Sequence, residues 1–428
     1  MRRPLLLSLL IYGLVLLGLA SLRGELIALA LPLVVYLGAA LLDRPDPPRL
    51  AVARSLSSDR VMPNAPVVVT LAITNEGARL GEVLLEDVLP EGLRALDGST
   101  SLLTSLAPGA TVELRYTVAG ARGLHRFADL RATARDRLGL FGARASLPAA
   151  AQLVVVPEVI RLRRVAIRPR RTRIYAGSVP ARQGGPGVEF FGVREYQAGD
   201  PRRWISPRLT ARRPDTLFVN EFEQERVTDV GLMLDARRPS DIRTPQGALF
   251  EHAVQATAAL ADALLTHGNR VGLLVYGSTL NWTLPGYGKV QRERILRALA
   301  RAGQSSLPLF ERLDYLPTRV FPARSQIVLI SPLMPYDHEP LIRLRARGYQ
   351  LLVISPDPVG FELAGLPDDP AVALAARLAR LERALLLRRL WRAGVPVVEW
   401  SVDRPFQQVA EAALGRMPGW AGQIGRVP

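Results

Sequence analysis

The sequence predicts a multidomain protein that joins an N-terminal transmembrane helical hairpin, a β-sandwich and an α/β domain built on a doubly wound parallel sheet. Three observations carry that reading. Two uncharged apolar runs open the 428-residue chain, short Val- and Thr-rich runs follow from about Leu50 to Val156, and from about Val230 continuous apolar runs alternate with amphipathic helical patterns. A chain of this length exceeds one ordinary core. The divisions fall at residues 1–45 for the hairpin, 48–156 for the sandwich, 157–228 for a basic linker with a distinctive motif, and 229–428 for the α/β domain.

The apolar runs LLLSLLIYGLVLLGLA (Leu5 to Ala20) and LIALALPLVVYLGAALL (Leu26 to Leu42) hold 16 and 17 residues, close to the shortest length that spans a bilayer. Arg2, Arg3 and the amino terminus precede the first, and Arg44, Arg49 and Arg54 follow the second. The short loop holds only Arg23, offset by Glu25. The positive-inside rule then places both ends in the cytoplasm. The expectation is a multi-pass protein of the inner (plasma) membrane with its soluble domains on the cytoplasmic side. The alternative is a cleaved signal peptide with Gly18-Leu19-Ala20 as its small-residue site.

After the Pro-rich exit DRPDPPR, runs such as VVVTLAIT, TVELRYTV and AQLVVV are separated by turn signals NEG, DG and APG. Short strands at this spacing read as an Ig-like β-sandwich. RLRRVAIRPRRTR (Arg161 to Arg173) then carries many arginines and no acid, which suits either an anionic surface or a solvated linker. Beyond Val230, VGLMLD, RVGLLVYG, QIVLISPL, YQLLVISP and VPVVEWS read as strands, and LFEHAVQATAALADALLTH, RERILRALARA and AVALAARLARLERALLLRRLWRA as helices. That alternation argues for a parallel sheet covered on both faces, with any ligand at the carboxyl ends of its strands.

Composition excludes several chemistries. The net charge is +16, but Lys289 is the only lysine. A bias this strong towards arginine reflects base composition rather than phosphate contacts, so nucleic acid is not expected as a partner. The absence of cysteine removes disulfides, thiolate nucleophiles and Cys-ligated zinc. LPGYGKV fails as a phosphate loop because Thr283 stands where the first glycine belongs and valine follows Lys289. YGSTL lacks the second glycine of a nucleophile elbow. His125, His252, His267 and His338 are scattered without metal-ligand spacing and read as surface or turn residues. No catalytic residue and no cofactor is expected.

Asp235 closes the first α/β strand in VGLMLDARRPS. An acid there resembles the start of the von Willebrand factor type A fold, in which an Asp-x-Ser-x-Ser loop helps to hold a divalent cation. Here the two serine positions are Arg237 and Pro239, and the turn after the fourth strand reads Ser331-Pro332-Leu333. An arginine puts positive charge where the cation would sit and proline offers no side-chain oxygen. The site is expected to be degenerate, with Asp235 capping a helix or paired with arginine.

The remaining signal is GVEFFGVREYQAGDPRR, Gly187 to Arg203. It reads as a charged, turn-rich platform, too broken for one helix or one strand. Gly187, Gly192 and Gly199 permit backbone turns. Phe190, Phe191 and Tyr196 are expected to bury aromatic area. Glu189, Arg194, Glu195, Asp200 and Arg203 can form charge-assisted hydrogen bonds. The strand in TLFVNEFEQE puts Glu221, Glu223 and Glu225 on one face, with Arg194, Arg208 and Arg212 as candidate counterions. Such a network either pins the turn or forms a docking surface.

This stretch resembles the signature of the domain of unknown function 58 family. Gly187, Glu189, Phe190, Gly192, Arg194, Glu195, Tyr196, Gly199, Asp200 and Arg203 match, and Ala211-Arg212 fits a later pair. The DRLGLFG element (Asp136 to Gly142) and the order of segments extend the resemblance over nearly the whole chain. Ile205-Ser206-Pro207 departs from it, with proline in place of the family's tryptophan. The resemblance implies a degenerate type A-like domain held at a membrane, and a MoxR-type AAA+ ATPase as protein partner. The expected role is a non-catalytic adaptor or scaffold. A metal-dependent ligand-binding receptor and an enzyme of unrecognised type are the alternatives.

Overall fold

A computed structural model describes residues 2–163, 173–213, 215–227, 229–245, 247–277, 281–303, 312–315, 320–321 and 325–414, with the side chains of 2, 173–189, 191, 222–227 and 315 left aside. The basic run 164–172 therefore lies outside the described residues. The chain divides into two compact units, Met1–Val156 and Pro157–Pro428.

The first unit opens with α1 (Arg2–Ala20) and α2 (Gly24–Leu42); the mean hydropathy is 2.0 over Arg3–Ala20 and 2.2 over Gly24–Leu42. At about 1.5 Å per residue each is close to the thickness of a hydrocarbon core. Both are long and apolar enough to cross a membrane, which their largely exposed leucines would favour.

Eleven strands follow: β1 (Leu50–Leu56), β2 (Arg60–Val61), β3 (Val67–Asn75), β4 (Leu80–Asp87), β5 (Leu93–Gly98), β6 (Ser101–Leu106), β7 (Thr111–Gly120), β8 (Gly123–Phe127), β9 (Leu130–Arg135), β10 (Gly142–Leu147) and β11 (Ala151–Val155). They form two four-stranded antiparallel sheets, β1-β3-β7-β5 and β10-β9-β4-β6, and a small β2-β11-β8 sheet. Strict alternation along β3 sends Val67, Val69, Leu71 and Ile73 into the core, where Val83, Leu85, Leu130 and Leu153 meet them. Period-two patterning is the cause.

A polar triad crosses this core. Arg54 pairs with Asp87, the Tyr116 hydroxyl donates to the other Asp87 oxygen, and Arg54 also donates to the carbonyls of Ala128 and Ala149. Its guanidinium lies 4.9 Å from the Phe127 ring centre. Asp87 is pushed upward by burial despite these partners, and Tyr116 is pushed upward as well, by burial and by Asp87. The loop of DRLGLFG meets the hairpin: the Tyr36 hydroxyl donates to the Leu138 carbonyl at 2.9 Å and the Arg137 amide to Asp43 at 3.1 Å.

In the second unit, β12 (Arg173–Glu195) pairs with β13 (Phe218–Val227) as an antiparallel ribbon with several register shifts. Short α3 (Pro207–Arg212) lies between them in sequence. The stretch from Gly187 to Glu195 is thus strand, a correction to the turn-rich reading. Its glycines are absorbed by bulge-like irregularities rather than ending the pairing.

The six-stranded sheet contains β14 (Asp229–Ala236), β17 (Arg270–Gly277), β18 (Asn281–Gly286), β19 (Gln326–Ile330), β20 (Gln350–Pro356) and β21 (Val397–Trp400). A two-residue pair, β15 (Arg243–Thr244) and β16 (Gly247–Ala248), precedes α4 (Leu249–Thr266). The sheet order is β18-β17-β14-β19-β20-β21, all parallel except the antiparallel edge strand β18. Helices α5 (Gly288–Arg301), α6 (His338–Ala346), α7 (Pro358–Leu363), α8 (Pro370–Arg392) and α9 (Phe406–Leu414) complete the unit. Apolar α4 packs on β14, β17, β19 and β20, while Leu341 and Leu344 of α6 and Leu386 and Leu390 of α8 join Met233, Ile327, Leu329 and Val353 in one core. Both faces of the sheet are covered, which is why its strands read as continuous apolar runs.

Candidate functional site

The carboxyl ends of β14 and β19 meet where the strand order reverses, the place an α/β sheet usually offers a ligand. Asp235 stands there, fully buried. Two residues later the chain turns Arg237 back over it. The Arg237 Nε donates to Asp235 Oδ1 at 2.9 Å and Nη2 to Oδ2 at 2.8 Å. On its far edge the same guanidinium donates from Nη1 and Nη2 to the Asp337 carboxylate at 2.8 and 2.7 Å. One planar fork thus bridges two carboxylates, one of them 100 residues from the arginine in sequence, the geometry in which arginine excels.

Hydroxyls complete the shell. Ser240 and Ser331 both donate to Asp235 Oδ2, at 2.7 and 2.6 Å. Ser331 in turn accepts from the Leu333 amide, and Asp337 accepts from the Met334 amide. Leu333 holds φ at 64°, a left-handed conformation costly for leucine, and is buried. Gly277 ends β17 beside this cluster, and a Cβ there would stand 2.2 Å from the Ala236 carbonyl oxygen, so only glycine fits.

Two carboxylates share one guanidinium here, and the electrostatics divide accordingly. Burial works to raise Asp235, but Arg237 and the two serines outweigh it and hold the carboxyl below its usual value. Burial wins at Asp337 and leaves it raised. Arg237 is held firmly charged. The oxygens that could have gathered around a divalent cation are already satisfied by a fixed positive group of the chain itself. A divalent ion does not fit while Arg237 occupies the cradle.

A second buried arginine closes the neighbouring strand ends. Arg383, from α8, donates to the Pro332 carbonyl at 2.7 Å, to Ser355 Oγ at 2.9 Å and to Glu399 at 3.1 Å. Among the described residues the Ser240 and Ser331 hydroxyls are both turned towards Asp235. The histidines serve as fasteners. His125, buried rather than at the surface as expected, bridges the Glu91 and Ala121 carbonyls at 3.0 Å each, and His252 sits edge-on to Phe361 and Trp400. His267 and His338 contact carbonyls within their own turns.

The family-like motif forms a separate network. Arg194 makes a two-pronged pair with Asp200 at 2.7 Å on both prongs, and its Nε donates to Glu221 at 2.9 Å. Asp200 also accepts from the Gln197 amide, and Gly199 takes φ 111° to close that turn. Arg194 therefore ties β12, the turn after it and β13 together. Asp200, and after it Glu221, push the already high value of Arg194 further up, and Arg194 in turn holds Asp200 below the usual carboxylate range.

The expected aromatic burial is not found: Phe190 is 63% and Tyr196 37% exposed. Strand geometry explains this, since a two-stranded ribbon leaves one face open. Glu195, Arg203 and Arg212 are exposed, Arg203 lying 6.0 Å from the Trp204 ring centre. Gly192 lies in β12 with open space around it. Gly187 is a backbone position in β12, while the side chains of Glu189, Phe191, Glu223 and Glu225 lie outside the described residues.

Sequence reasoning placed Asp235 beside an arginine but missed Ser240, Ser331 and Asp337. The serine and the acid six positions later in SPLMPYD were the available signal.

Residues 192–376 match the family described as protein of unknown function DUF58. No curated protein matches. Similar solved structures include the CARDB domain of a Pyrococcus furiosus protein in complex with di-metal ions, at 19% identity over 26% of this chain and 96% of that one, TM-score 0.20. A FixG-related protein from Vibrio parahaemolyticus is 12% identical over 26% of this chain and 98% of that one, TM-score 0.18. A non-cellulosomal cohesin from Archaeoglobus fulgidus is 13% identical over 25% of this chain and 91% of that one, TM-score 0.19.

Proposed function

We propose, from the match of residues 192–376 to the DUF58 family, that the protein is a membrane-anchored, non-catalytic adaptor that presents its α/β unit to protein partners. The unit is read as a degenerate von Willebrand factor type A-like domain. In support, its strands counted along the chain lie in the order third, second, first, fourth, fifth, sixth, with the third antiparallel at the edge. The observation that carries the reading is Arg237, whose guanidinium stands between Asp235 and Asp337 where such a domain would hold a cation. A built-in cation makes a recognition surface whose shape does not depend on ion supply. Helices α1 and α2 are the anchor, inserted with both ends cytoplasmic. The partner is a MoxR-type AAA+ ATPase, as the family resemblance implies.

The test is co-purification of the full chain from membranes in mild detergent, with and without ATP, beside an Arg194→Ala/Asp200→Ala double variant. An ATPase retained by the wild type and lost from the variant is expected. Its absence from both removes the adaptor reading's main support. A second reading, a metal-dependent receptor, requires Arg237 to swing out and release the Asp235 and Asp337 oxygens to an ion. Calorimetric Mg²⁺ or Mn²⁺ binding by the wild type, abolished by Asp235→Ala, would replace the adaptor with it.

A further inference from the structure

Helix α8 is held to its unit along one narrow face, where Ala376, Arg383, Leu386 and Leu390 are its buried residues. On the opposite face Leu374, Leu378, Leu381 and Leu385 are 66, 59, 64 and 54% exposed. Their spacing is four, three and four residues. At 3.6 residues per turn they fall within roughly 60° of arc, a seam of coiled-coil width rather than a broad apolar face. Exposed leucines in such a row mark an interaction surface.

Two features of the row name its occupant. The 4-3-4 spacing reads the same in both directions, so a two-fold axis across the middle of α8 lays Leu374 on the second copy's Leu385 and Leu378 on its Leu381. The charge along the helix is lopsided, with Asp368 and Asp369 at the amino end and Arg388, Arg389 and Arg392 at the carboxyl end. We propose that the chain self-associates through α8 as an antiparallel helix pair.

Antiparallel pairing brings the arginines of one copy over the acids of the other, twice by symmetry. A parallel pair would stack like charge on like at both ends. On the flanks of the seam, Arg377 and Glu382 come opposite the second copy's Ala384 and Ala375, so no like charges meet there either. Trp391, 72% exposed, reaches the second copy's Pro370 beyond the last leucine layer.

The chain has no cysteine, which makes the test direct. Leu374→Cys and Leu385→Cys are placed in separate copies of the full-length chain, co-expressed, and treated in native membranes with a short thiol cross-linker. The expected product joins the two variants, with little product from either alone. Arg389→Glu should lower the yield about threefold, the size of an exposed ion pair, and adding Asp368→Arg to the same chain should restore it. Both changes are on the exposed surface and leave folding intact. Self-products of either variant would mean parallel pairing and overturn the proposal. Shielded thiols without cross-linking would mean that lipid or another protein covers the seam, and freely reactive thiols that nothing does; each overturns it as well.

Discussion

Replacing Arg237 by methionine should cost about 3–5 kcal/mol at neutral pH, the range for removing one side of a buried ion pair. Four charge-assisted hydrogen bonds are lost, two to Asp235 and two to Asp337. At about 1.5–3 kcal/mol each their simple sum would exceed that range, but the two freed carboxyls can relieve themselves by taking up protons. That relief sets a pH signature. Without the guanidinium both carboxyls have folded values above the unfolded value of about 3.9, so the folded variant binds more protons than the unfolded one. Its deficit should shrink as pH falls from 7 to 5, by about 1.4 kcal/mol per pH unit for each carboxyl that titrates.

The assay is urea unfolding of the full chain in mild detergent, read by hydrogen exchange at β14 and β19. Millimolar magnesium should recover part of the loss in the variant alone, since a vacated cradle at one hundred times its Kd regains about 2.7 kcal/mol. Exposed Arg238→Met is the control and should stay within about 0.5 kcal/mol of wild type. A loss below about 1 kcal/mol with no pH or magnesium response would refute the reasoning.

Tyr116→Phe leaves a buried Asp87 oxygen without its donor and should cost the sandwich about 1–3 kcal/mol, measured by thermal unfolding. Asp87 is raised by burial, so its own contribution is full below the unfolded carboxyl value and declines as pH rises through the folded one; the wild-type sandwich should show that slope. Asp200 is lowered by Arg194, the opposite sign, so hydrogen exchange across Gln197 to Asp200 should quicken as pH falls below about 4, after correction for intrinsic exchange, and should already be fast in Asp200→Ala at pH 7. Cysteines introduced singly at exposed Ser21 and Ser99 should report topology: an impermeant thiol reagent should label Ser21→Cys in intact cells and Ser99→Cys only after permeabilisation.

Periodicity made much of the architecture legible. VVVTLAIT alternates because one face of β3 is core, and VGLMLD is continuous because β14 is covered on both faces. The ribbon was less legible, because the glycines and prolines of β12 interrupt the pattern while its pairing partner absorbs the irregularity. The Arg194 pair with Asp200 could be read because six residues separate the partners. Ser331 could not, standing 96 residues from Asp235 in a turn whose left-handed Leu333 carries no sequence signature. Phe190 was misread because an aromatic in a charged motif suggests a tether, whereas the strand turns it outward.

Arg383 has a mechanical consequence. Its stem rides on α8 while its guanidinium grips the Pro332 carbonyl, one residue beyond the serine that steadies Asp235. The outer helix and the plugged crest of the sheet are therefore rivets on one plate. A pull on the leucine row reaches the turn that keeps the plug seated by two routes, the Arg383 grip and the packing of Leu386 and Leu390 in one core with Leu333.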